Sequence, residues 1–294
     1  MKNISGVLLL VLILNSAGCS LPGDRLYVFK IDHIPSEHDW ENSLSYYVPV
    51  ENGRLNQNPP KLSKLDKETI HASNKTCHHT DPSSPVKVKF SAFYNKNNLF
   101  LRIQWPDKSK NERPALWDNA AKTFNKTKGN EDGLGIIWNT GKNISKNCLS
   151  SCHLNEWQVQ NSILTPTHQM KTKNNEIYNL WIWWAARNAR DNFIWSINLD
   201  SSGIDENKYF LQNPERTSNI YSKSCYKNGL WTLTITYPLN DPGMEFSEDN
   251  PYHFQIAVFD DTYSDHSISS EIQEMVFVQN DIKVKDDDLF AERE

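Results

Sequence analysis

The strongest constraint on the fold is a pair of alternating segments separated by a short polar turn. In "VKVKFSAFY" (residues 86–94), apolar residues at every second position from Val86 to Ala92 alternate with lysine and serine. The segment "LFLRIQW" (residues 99–105) has the same period of two, and "NKNN" joins the segments. Since successive side chains of a strand point to opposite faces of a sheet, this pattern predicts a β hairpin with one buried face.

Further short apolar segments predict additional strands along the chain. Residues 31–53 are interpreted as a strand and a turn, and residues 106–132 as a partly helical segment. The other predicted strands are "GLGIIWNT", "EIYNLWIWWAARN", "NFIWSINLD", "GLWTLTITYPL", "YHFQIAVFDD" and "IQEMVFVQ". Short strands with long polar connections and few convincing helices predict an all-β fold. We expect a single antiparallel β sandwich with long loops and a few short helices.

The N-terminus has the pattern of an exported lipoprotein. The apolar run from Val7 to Leu14 would rise only about 12 Å as a helix, well short of a hydrocarbon core of roughly 30 Å, so it indicates a secretory signal. Small residues precede Cys19, as in a bacterial lipobox. We therefore predict a signal peptide at 1–18, lipidation of Cys19 and a tether at 19–30. The expected domain is 31–280, followed by an acidic tail at 281–294.

Charge and location narrow the class of partner. Removal of the signal peptide takes away Lys2 and no acid, which leaves 30 basic against 36 acidic residues. This balance, without any basic run, argues against nucleic acid as a partner. Ser20 follows the lipidated cysteine in place of an aspartate that would retain it at the inner membrane. We therefore expect an anchor in the cell envelope, in the outer membrane, facing the periplasm or the surface.

The segment "CLSSCH" carries the main chemical signal. Cys148, Cys152 and His153 resemble the haem attachment signal of c-type cytochromes widened by one residue, in which the cysteines bind haem and the histidine ligates iron. Two alternatives stay open. The cysteines can form a disulfide beside an unrelated histidine. They can also bind zinc together with His153, Cys77 and either His78 or His79, although only one tight ligand pair is present.

The order of motifs resembles a known family. The motifs are "IDHIPSEHDWENSLSYYVPV", "LRIQWPD", "NEDGLGIIWNT", "CLSSCH", "LWIWWAARN", "YKNGLWTLTITYPL" and "FQIAVFDDTYSDHSIS". Together they resemble the ethylbenzene dehydrogenase-related, cytochrome c-552/DMSO reductase-like haem-binding domain over residues 31–278. The resemblance implies a β sandwich akin to DOMON domains and family 9 carbohydrate-binding modules, with haem as the cofactor, either c-type through the cysteines or b-type.

The resemblance also implies which further residues hold the haem. Met170 lies where the family has a methionine shortly after the cysteine segment, and His266 lies where it has a late basic ligand. Either one is a candidate for the second axial ligand, opposite His153. Arg187, with Arg190, is a candidate partner for the propionates. An apolar slot is expected from the tryptophans near this segment, namely Trp138, Trp181, Trp183, Trp184 and Trp195.

The two other cysteines are interpreted as a structural pair. Cys77 and Cys225 lie next to polar turn residues, and neither has a second cysteine nearby. In an exported protein this predicts a disulfide between them. The rival is the zinc site that includes Cys77.

Catalytic motifs are absent from the sequence, with no nucleophile elbow, phosphate loop or His-Glu-x-x-His. The chain is therefore predicted to be an electron-transfer or binding protein and not an enzyme by itself. The first hypothesis is a lipid-anchored haem protein that passes single electrons, as a subunit or partner of a periplasmic oxidoreductase. The alternative is a haem-free carbohydrate- or ligand-binding lipoprotein in which surface tryptophans stack on sugar rings.

Overall fold

The structure is a computed structural model, and it describes fourteen stretches of the chain. These stretches are residues 25–51, 86–113, 116–118, 123–125, 131–140, 157–160, 163–166, 169–170, 177–186, 192–199, 204–205, 219–262, 267–269 and 271–278. Within them the chain is almost entirely β structure, with one short helix. In these ranges no helix has the length and apolar character that crossing a membrane requires.

The elements follow one another in chain order. They are β1 (Arg25–Lys30), α1 (Glu37–Glu41), β2 (Tyr46–Glu51), β3 (Val86–Tyr94), β4 (Asn98–Pro106), β5 (Leu116–Asp118), β6 (Thr123–Asn125), β7 (Glu131–Asn139), β8 (Trp157–Gln160), β9 (Ile163–Pro166), β10 (Gln169–Met170), β11 (Tyr178–Trp184), β12 (Trp195–Leu199), β13 (Ile204–Asp205), β14 (Tyr221–Lys227), β15 (Leu230–Pro238), β16 (Asn240–Asp241), β17 (Met244–Glu245), β18 (Tyr252–Thr262), β19 (Ser267–Ser269) and β20 (Gln273–Val278).

Twelve of these strands form one curled sheet whose two halves face each other. Its order is β12-β11-β7-β18-β19-β2-β3-β4-β15-β14, and β20 and β1 make a second link between β18 and β3. The pairs are antiparallel except that β1 runs parallel to both β20 and β3. The predicted all-β sandwich is confirmed, with β1 as the exception to its antiparallel pairing.

The hairpin predicted from residues 86–105 is confirmed as β3 and β4. Ala92 pairs with Leu101 and Phe90 with Ile103. All four side chains are at most 2 % exposed, which is the burial that the alternation predicts. Each buried aliphatic or aromatic side chain of this kind stabilises the fold by about 1.5–3 kcal/mol.

Three local expectations are wrong. Residues 25–30 do not belong to a tether but form β1, because Leu26 and Val28 are buried and the strand pairs with β20. Residues 37–41 form α1 instead of a strand, since Ser36 and Asp39 make a reciprocal capping box. Within residues 106–132, β5 pairs with β6 where a helical segment is predicted.

The core lies between the two halves of the sheet and is rich in tryptophan. Five tryptophans are at most 1 % exposed within this main core, namely Trp105, Trp138, Trp181, Trp183 and Trp231. The sheet half formed by β7, β11, β12 and β18 is also buried on its other face. That face carries a second set of side chains, the outer cluster, made of Ile137, Tyr178, Leu180, Ile182, Trp184, Phe193, Trp195, Leu199 and Phe259.

Candidate functional site

Three aspartates from both halves of the sheet meet at one end of the sandwich. Asp107 directly follows β4, Asp132 lies in β7 and Asp260 lies in β18. One carboxylate oxygen from each lies within 4.8 Å of the others. Asp107 and Asp132 are buried, whereas Asp260 is exposed. We call these three residues the aspartate cluster.

Asp132 is held in place by donors from three parts of the chain. Its Oδ2 accepts hydrogen bonds from the backbone N–H of Asn111, at 2.8 Å, and from the indole Nε1 of Trp231, at 3.0 Å. Its Oδ1 accepts from the backbone N–H of Asp261 at 3.1 Å. Asp261 has a positive φ of 49° at an irregularity in the pairing of β18 with β7. This bulge turns its N–H toward Asp132 and places Asp260 beside it.

Asp107 is buried with one carboxylate oxygen unpaired. Its Oδ1 accepts from the backbone N–H of Ser109 at 3.0 Å. Its Oδ2 is fully buried and has no hydrogen-bond partner among the described residues. The backbone is fixed on both sides, since Asp107 N donates to Gly229 and the Tyr226 hydroxyl donates to the Asp107 carbonyl. The orphan oxygen is therefore locked into this position.

Burial and mutual repulsion change the acidity of all three groups. Burial is the main cause that raises the pKa of Asp107 to about 7, and the neighbouring charges of Asp132 and Asp260 add to it. Burial also raises the pKa of Asp132, against the effect of its hydrogen bonds. Asp260 is exposed as a whole residue, but partial desolvation of its carboxylate beside the other two raises its pKa, and the charge of Asp132 adds to this. Three carboxylates here are therefore difficult to keep charged together without a nearby cation.

Most of the residues predicted from the sequence lie outside the described residues. This holds for the candidate haem residues Cys148, Cys152, His153, His266 and Arg187, and also for Cys19 and Cys77. Cys225 lies in β14, where it is exposed and forms no disulfide within the described residues. Its pairing with Cys77 therefore stays a prediction.

The sequence neighbours of the candidate haem residues lie at the two ends of the β7–β11 pair. The connection that contains Cys148, Cys152 and His153 in the sequence begins after Asn139 and ends before Tyr178, and these two residues pair with each other. The backbone N–H and the hydroxyl of Thr140 both donate to the Ile177 carbonyl, at 3.1 and 2.9 Å. We call this end of the strand pair the Thr140 end.

Met170 lies in the same connection between β7 and β11 as the cysteine segment. It belongs to β10 and pairs with Ile204 of β13. Ile204 follows five residues after Leu199, which is the residue of β12 that pairs with Tyr178. Five residues span at most about 18 Å, which limits how far β13 lies from the Thr140 end.

The described residues next to Arg187 and His266 lie at the opposite end, near the aspartate cluster. Arg187 follows Ala186, whose backbone N–H donates to Oε2 of Glu131 at 3.0 Å. His266 precedes Ser267, which pairs with Val258 in the last part of β18. The nine residues of β7 separate the two ends by roughly 25 Å.

The tryptophans predicted to line one slot are divided between two faces. Trp138, Trp181 and Trp183 lie in the main core, while Trp184 and Trp195 belong to the outer cluster. The reason is the period of two along β11, which turns alternate side chains to opposite faces. Trp138 packs on Trp181 with ring centroids 5.1 Å apart, and neither side chain is more than 1 % exposed. In the described residues these rings fill the core instead of lining an open slot.

Sequence reasoning missed the aspartate cluster. Its members lie in "WPD", "NEDG" and "FDD", which are short, common strings that the sequence places far apart. The signal that was available is that each aspartate stands at the end of a predicted apolar strand. Aspartates that recur at the ends of apolar strands suggest a shared site once those strands are known to belong to one sheet.

The strand order and the central tryptophan core define the class of the protein as an all-β sandwich. A family model described as "Ethylbenzene dehydrogenase" matches residues 56–202, which is half of the chain. The chain therefore belongs to the ethylbenzene dehydrogenase family. The match includes the "CLSSCH" segment and the Trp-rich strand β11.

Solved structures give only distant likenesses. A family 9 carbohydrate-binding module from Caldicellulosiruptor kristjanssonii in complex with glucose is 10 % identical, covers 88 % of this chain and 99 % of its own, and has a TM-score of 0.38. The module in complex with cellotriose is also 10 % identical, covers 86 % and 93 %, and has a TM-score of 0.34. No curated protein matches the chain. The description of the fold rests on the strand pairing itself.

Proposed function

We propose that this protein acts by binding a ligand and not by catalysis, and that the ligand is a haem used for single-electron transfer. One observation carries the proposal. The chain belongs to the ethylbenzene dehydrogenase family, and the matched residues include Cys148, Cys152 and His153. These residues are carried by a connection whose two ends are hydrogen-bonded together at Thr140 and Ile177. A rigid sheet thus supports the one segment with haem-type chemistry.

The described surroundings of the Thr140 end suit a haem. A haem site needs an apolar wall and axial ligands with a free lone pair. The part of the outer cluster at this end is apolar, because Ile137 pairs with Leu180 and Tyr178 pairs with Leu199. In this proposal these side chains, which are at most 6 % exposed, form the wall, and the haem lies on the side of this sheet half that faces away from the main core.

Chain order supports Met170 over His266 as the second ligand. Cys148 and Cys152 would hold the haem through thioethers and His153 would be the first axial ligand. Met170 belongs to the same connection between β7 and β11, whereas the described neighbours of His266 and Arg187 lie near the aspartate cluster. When bound, the haem would supply the one-electron chemistry, and the chain would keep its ligands fixed on a sheet that does not need to rearrange. Lipidation at Cys19, an outer-membrane location and a redox protein partner complete the proposal.

The experiment is a spectrum of the full chain made in a host that matures c-type cytochromes. We expect a reduced low-spin haem spectrum, and haem that stays with the polypeptide on a denaturing gel. Met170→Ala should convert the spectrum to high spin, and His266→Ala should leave it low spin. A spectrum changed only by His266→Ala would overturn the ligand assignment, and a colourless protein would overturn the haem proposal.

A second candidate function is carbohydrate binding on the outer face of the other sheet half. One row across β2, β3, β4 and β15 presents Tyr47, Lys89, Gln104 and Thr232. Tyr47 is 55 % exposed, and Gln104 donates to the Thr232 hydroxyl at 3.1 Å. An exposed ring beside hydrogen-bonding side chains is suited to stacking on a sugar.

Tryptophan stacking, which the sequence predicts for this function, has no support in the described side chains. Every tryptophan side chain that is described is buried, namely Trp40, Trp105, Trp138, Trp181, Trp183, Trp184, Trp195 and Trp231. The test is retention of the protein in gels that contain a soluble polysaccharide. Retention that Tyr47→Ala abolishes, in a colourless protein, would favour this candidate over haem. Unretarded migration would exclude it for the polysaccharide used.

A further inference from the structure

We propose that Asp107, Asp132 and Asp260 form a calcium site that ties β4 to β7 and β18. The site lies at the opposite end of the β7–β11 pair from Asn139 and Tyr178, the strand residues between which the cysteine segment is connected. It joins the two halves of the curled sheet at a place where no strand pairing links β4 to β7. The site would therefore act as a clamp across the open end of the sandwich.

The donor set suits calcium better than magnesium. The three carboxylates offer oxygens that all lie within 4.8 Å of one another, and calcium accepts six to eight oxygen ligands in flexible geometry. Magnesium demands a near-ideal octahedron and usually keeps several water molecules, which three carboxylates held on separate strands are less suited to provide. A purely carboxylate donor set also differs from the nitrogen and sulfur ligands that zinc prefers.

The unpaired oxygen of Asp107 is independent support for a bound cation. The side chain is 6 % exposed, and its Oδ2 is fully buried without a hydrogen-bond partner among the described residues. A buried polar atom without a partner is costly to the fold, and the cost is larger when the atom is charged. The Asp107 carboxylate belongs to the cluster, where Asp132 and Asp260 bring two further carboxylates. A cation at their centre would satisfy all three groups at once.

Of the two other ligands, Asp132 is held in a fixed orientation and Asp260 is accessible from solvent. Asp132 is oriented by the N–H groups of Asn111, Asp261 and Trp231, so its carboxylate needs no rearrangement to bind. The carboxylate of Asp132 has four lone pairs and accepts three hydrogen bonds, so one lone pair remains free to bind a metal. Asp260 is exposed, so it gives an ion a path from solvent, and water molecules can complete the six to eight ligands of calcium.

The test is calorimetric titration of the chelator-treated full chain with calcium chloride. We expect one saturable site for calcium and weaker binding of magnesium. Asp260→Asn should lower the calcium affinity roughly tenfold or more, because affinity follows the number of charged ligands. Glu112→Gln is the matched control. It removes a carboxylate at the same end, paired with Lys110 at 2.8 Å and outside the cluster, and should keep the wild-type affinity.

Thermal unfolding gives a second readout that does not depend on haem. Calcium at a hundredfold excess over its Kd should raise the Tm of the wild type by roughly 5 °C, and the rise should vanish in Asp260→Asn. Without calcium, Asp260→Asn should melt above the wild type, since one repelling carboxylate is gone. Three results would each overturn the proposal: no saturable calcium binding, equal affinity in Asp260→Asn and wild type, or an equal loss in Glu112→Gln.

Discussion

The indole Nε1 of Trp231 donates a 3.0 Å hydrogen bond to Oδ2 of Asp132, and so connects the tryptophan core to the aspartate cluster. Trp231 also packs on Trp183, with ring centroids 5.1 Å apart, and stacks on Trp105 at 6.2 Å. One side chain thus closes the end of the core and supplies a donor to a buried acid. The hydrogen bond links the packing of the sandwich to the position of its most constrained carboxylate.

Replacing Trp231 by phenylalanine should destabilise the protein by more than the smaller ring alone would cause. The phenyl ring cannot donate, so the buried Asp132 loses one of its three hydrogen bonds at a cost of about 1–3 kcal/mol. Trp105→Phe is the control, because Trp105 is equally buried and its Nε1 has no partner among the described residues. Denaturant unfolding should show the larger loss for Trp231→Phe. Equal losses would mean that the hydrogen bond contributes nothing.

Two glycines of β7 should respond differently to alanine. A Cβ at Gly133 would lie 2.7 Å from Cε3 of Trp184 and 3.0 Å from the Trp183 carbonyl, so the fully buried indole would have to move. Such overpacking costs about 1–3 kcal/mol. A Cβ at Gly135 would meet its nearest atoms at 3.6 Å, which is ordinary contact.

The comparison of Gly133→Ala with Gly135→Ala is therefore internally controlled. Both changes restrict the unfolded chain alike, so the difference in the free energy of unfolding reports the clash at Trp184. We expect Gly135→Ala to remain within about 1 kcal/mol of the wild type and Gly133→Ala to fall below it. If the two variants unfold at the same denaturant concentration, the close contact between Gly133 and Trp184 is wrong.

The sequence predicts the strands better than it predicts which side chains the strands bring into contact. Strict alternation identifies β3 and β4, because each has one face toward the core. Strand β14 is missed, since Ser222, Ser224 and Cys225 give an edge strand the composition of a turn. The capping box of Ser36 and Asp39 was present in the sequence and would have predicted α1.

The candidate sites show the same limit. Asp107 and Asp260 are 153 residues apart in the sequence, and they are neighbours only because the sheet that contains both β4 and β18 curls on itself. In the same way, the apolar run of β11 predicts burial, but one sequence cannot show that both faces are covered. From the sequence alone, Met170 and His266 are equivalent candidates for the second ligand.

Replacing Arg102 by lysine should lower the stability of the protein. Its two terminal nitrogens donate to the two carboxylate oxygens of Glu37, at 2.7 and 2.6 Å, and its guanidinium lies 4.9 Å from the Trp40 ring. Lysine keeps the charge but loses the planar fork and the stacking. We expect a loss of about 1 kcal/mol in the free energy of unfolding. The exposure of Glu37, at 78 %, limits the loss to this value, which is the upper end of the range for exposed ion pairs.

Arg25→Lys is the control for this change. Arg25 makes a single contact of 3.2 Å with Glu274 and is 47 % exposed, so lysine should replace it at a cost near zero. Chemical denaturation of both variants checks the prediction. A similar stability for the two would show that the fork and the ring stacking do not matter for docking α1 on the sheet.

The last prediction concerns the pH dependence of the segment before α1. Nδ1 of His33 lies 2.8 Å from Oδ1 of Asp32, and Nε2 lies 3.1 Å from Oδ2 of Asp39. Two hydrogen bonds raise the pKa of His33 above 6.5. The one with Asp32 has the larger effect, and the one with Asp39 has the second largest. A raised pKa means that the imidazolium is favoured in the folded protein. Its contribution to stability is fully present below pH 6.5 and is lost as the pH rises through the pKa of the folded state.

An NMR titration of the His33 ring protons tests this directly. We expect the wild-type pKa of His33 to lie above the ordinary value, and Asp32→Asn to lower it toward that value, because the asparagine removes the stronger carboxylate partner. Asp32 is 88 % exposed, so the substitution should not disturb the fold. Asp39 remains in Asp32→Asn, so part of the increase in the His33 pKa should persist. An unchanged pKa in Asp32→Asn would show that the contact with Asp32 does not form in solution.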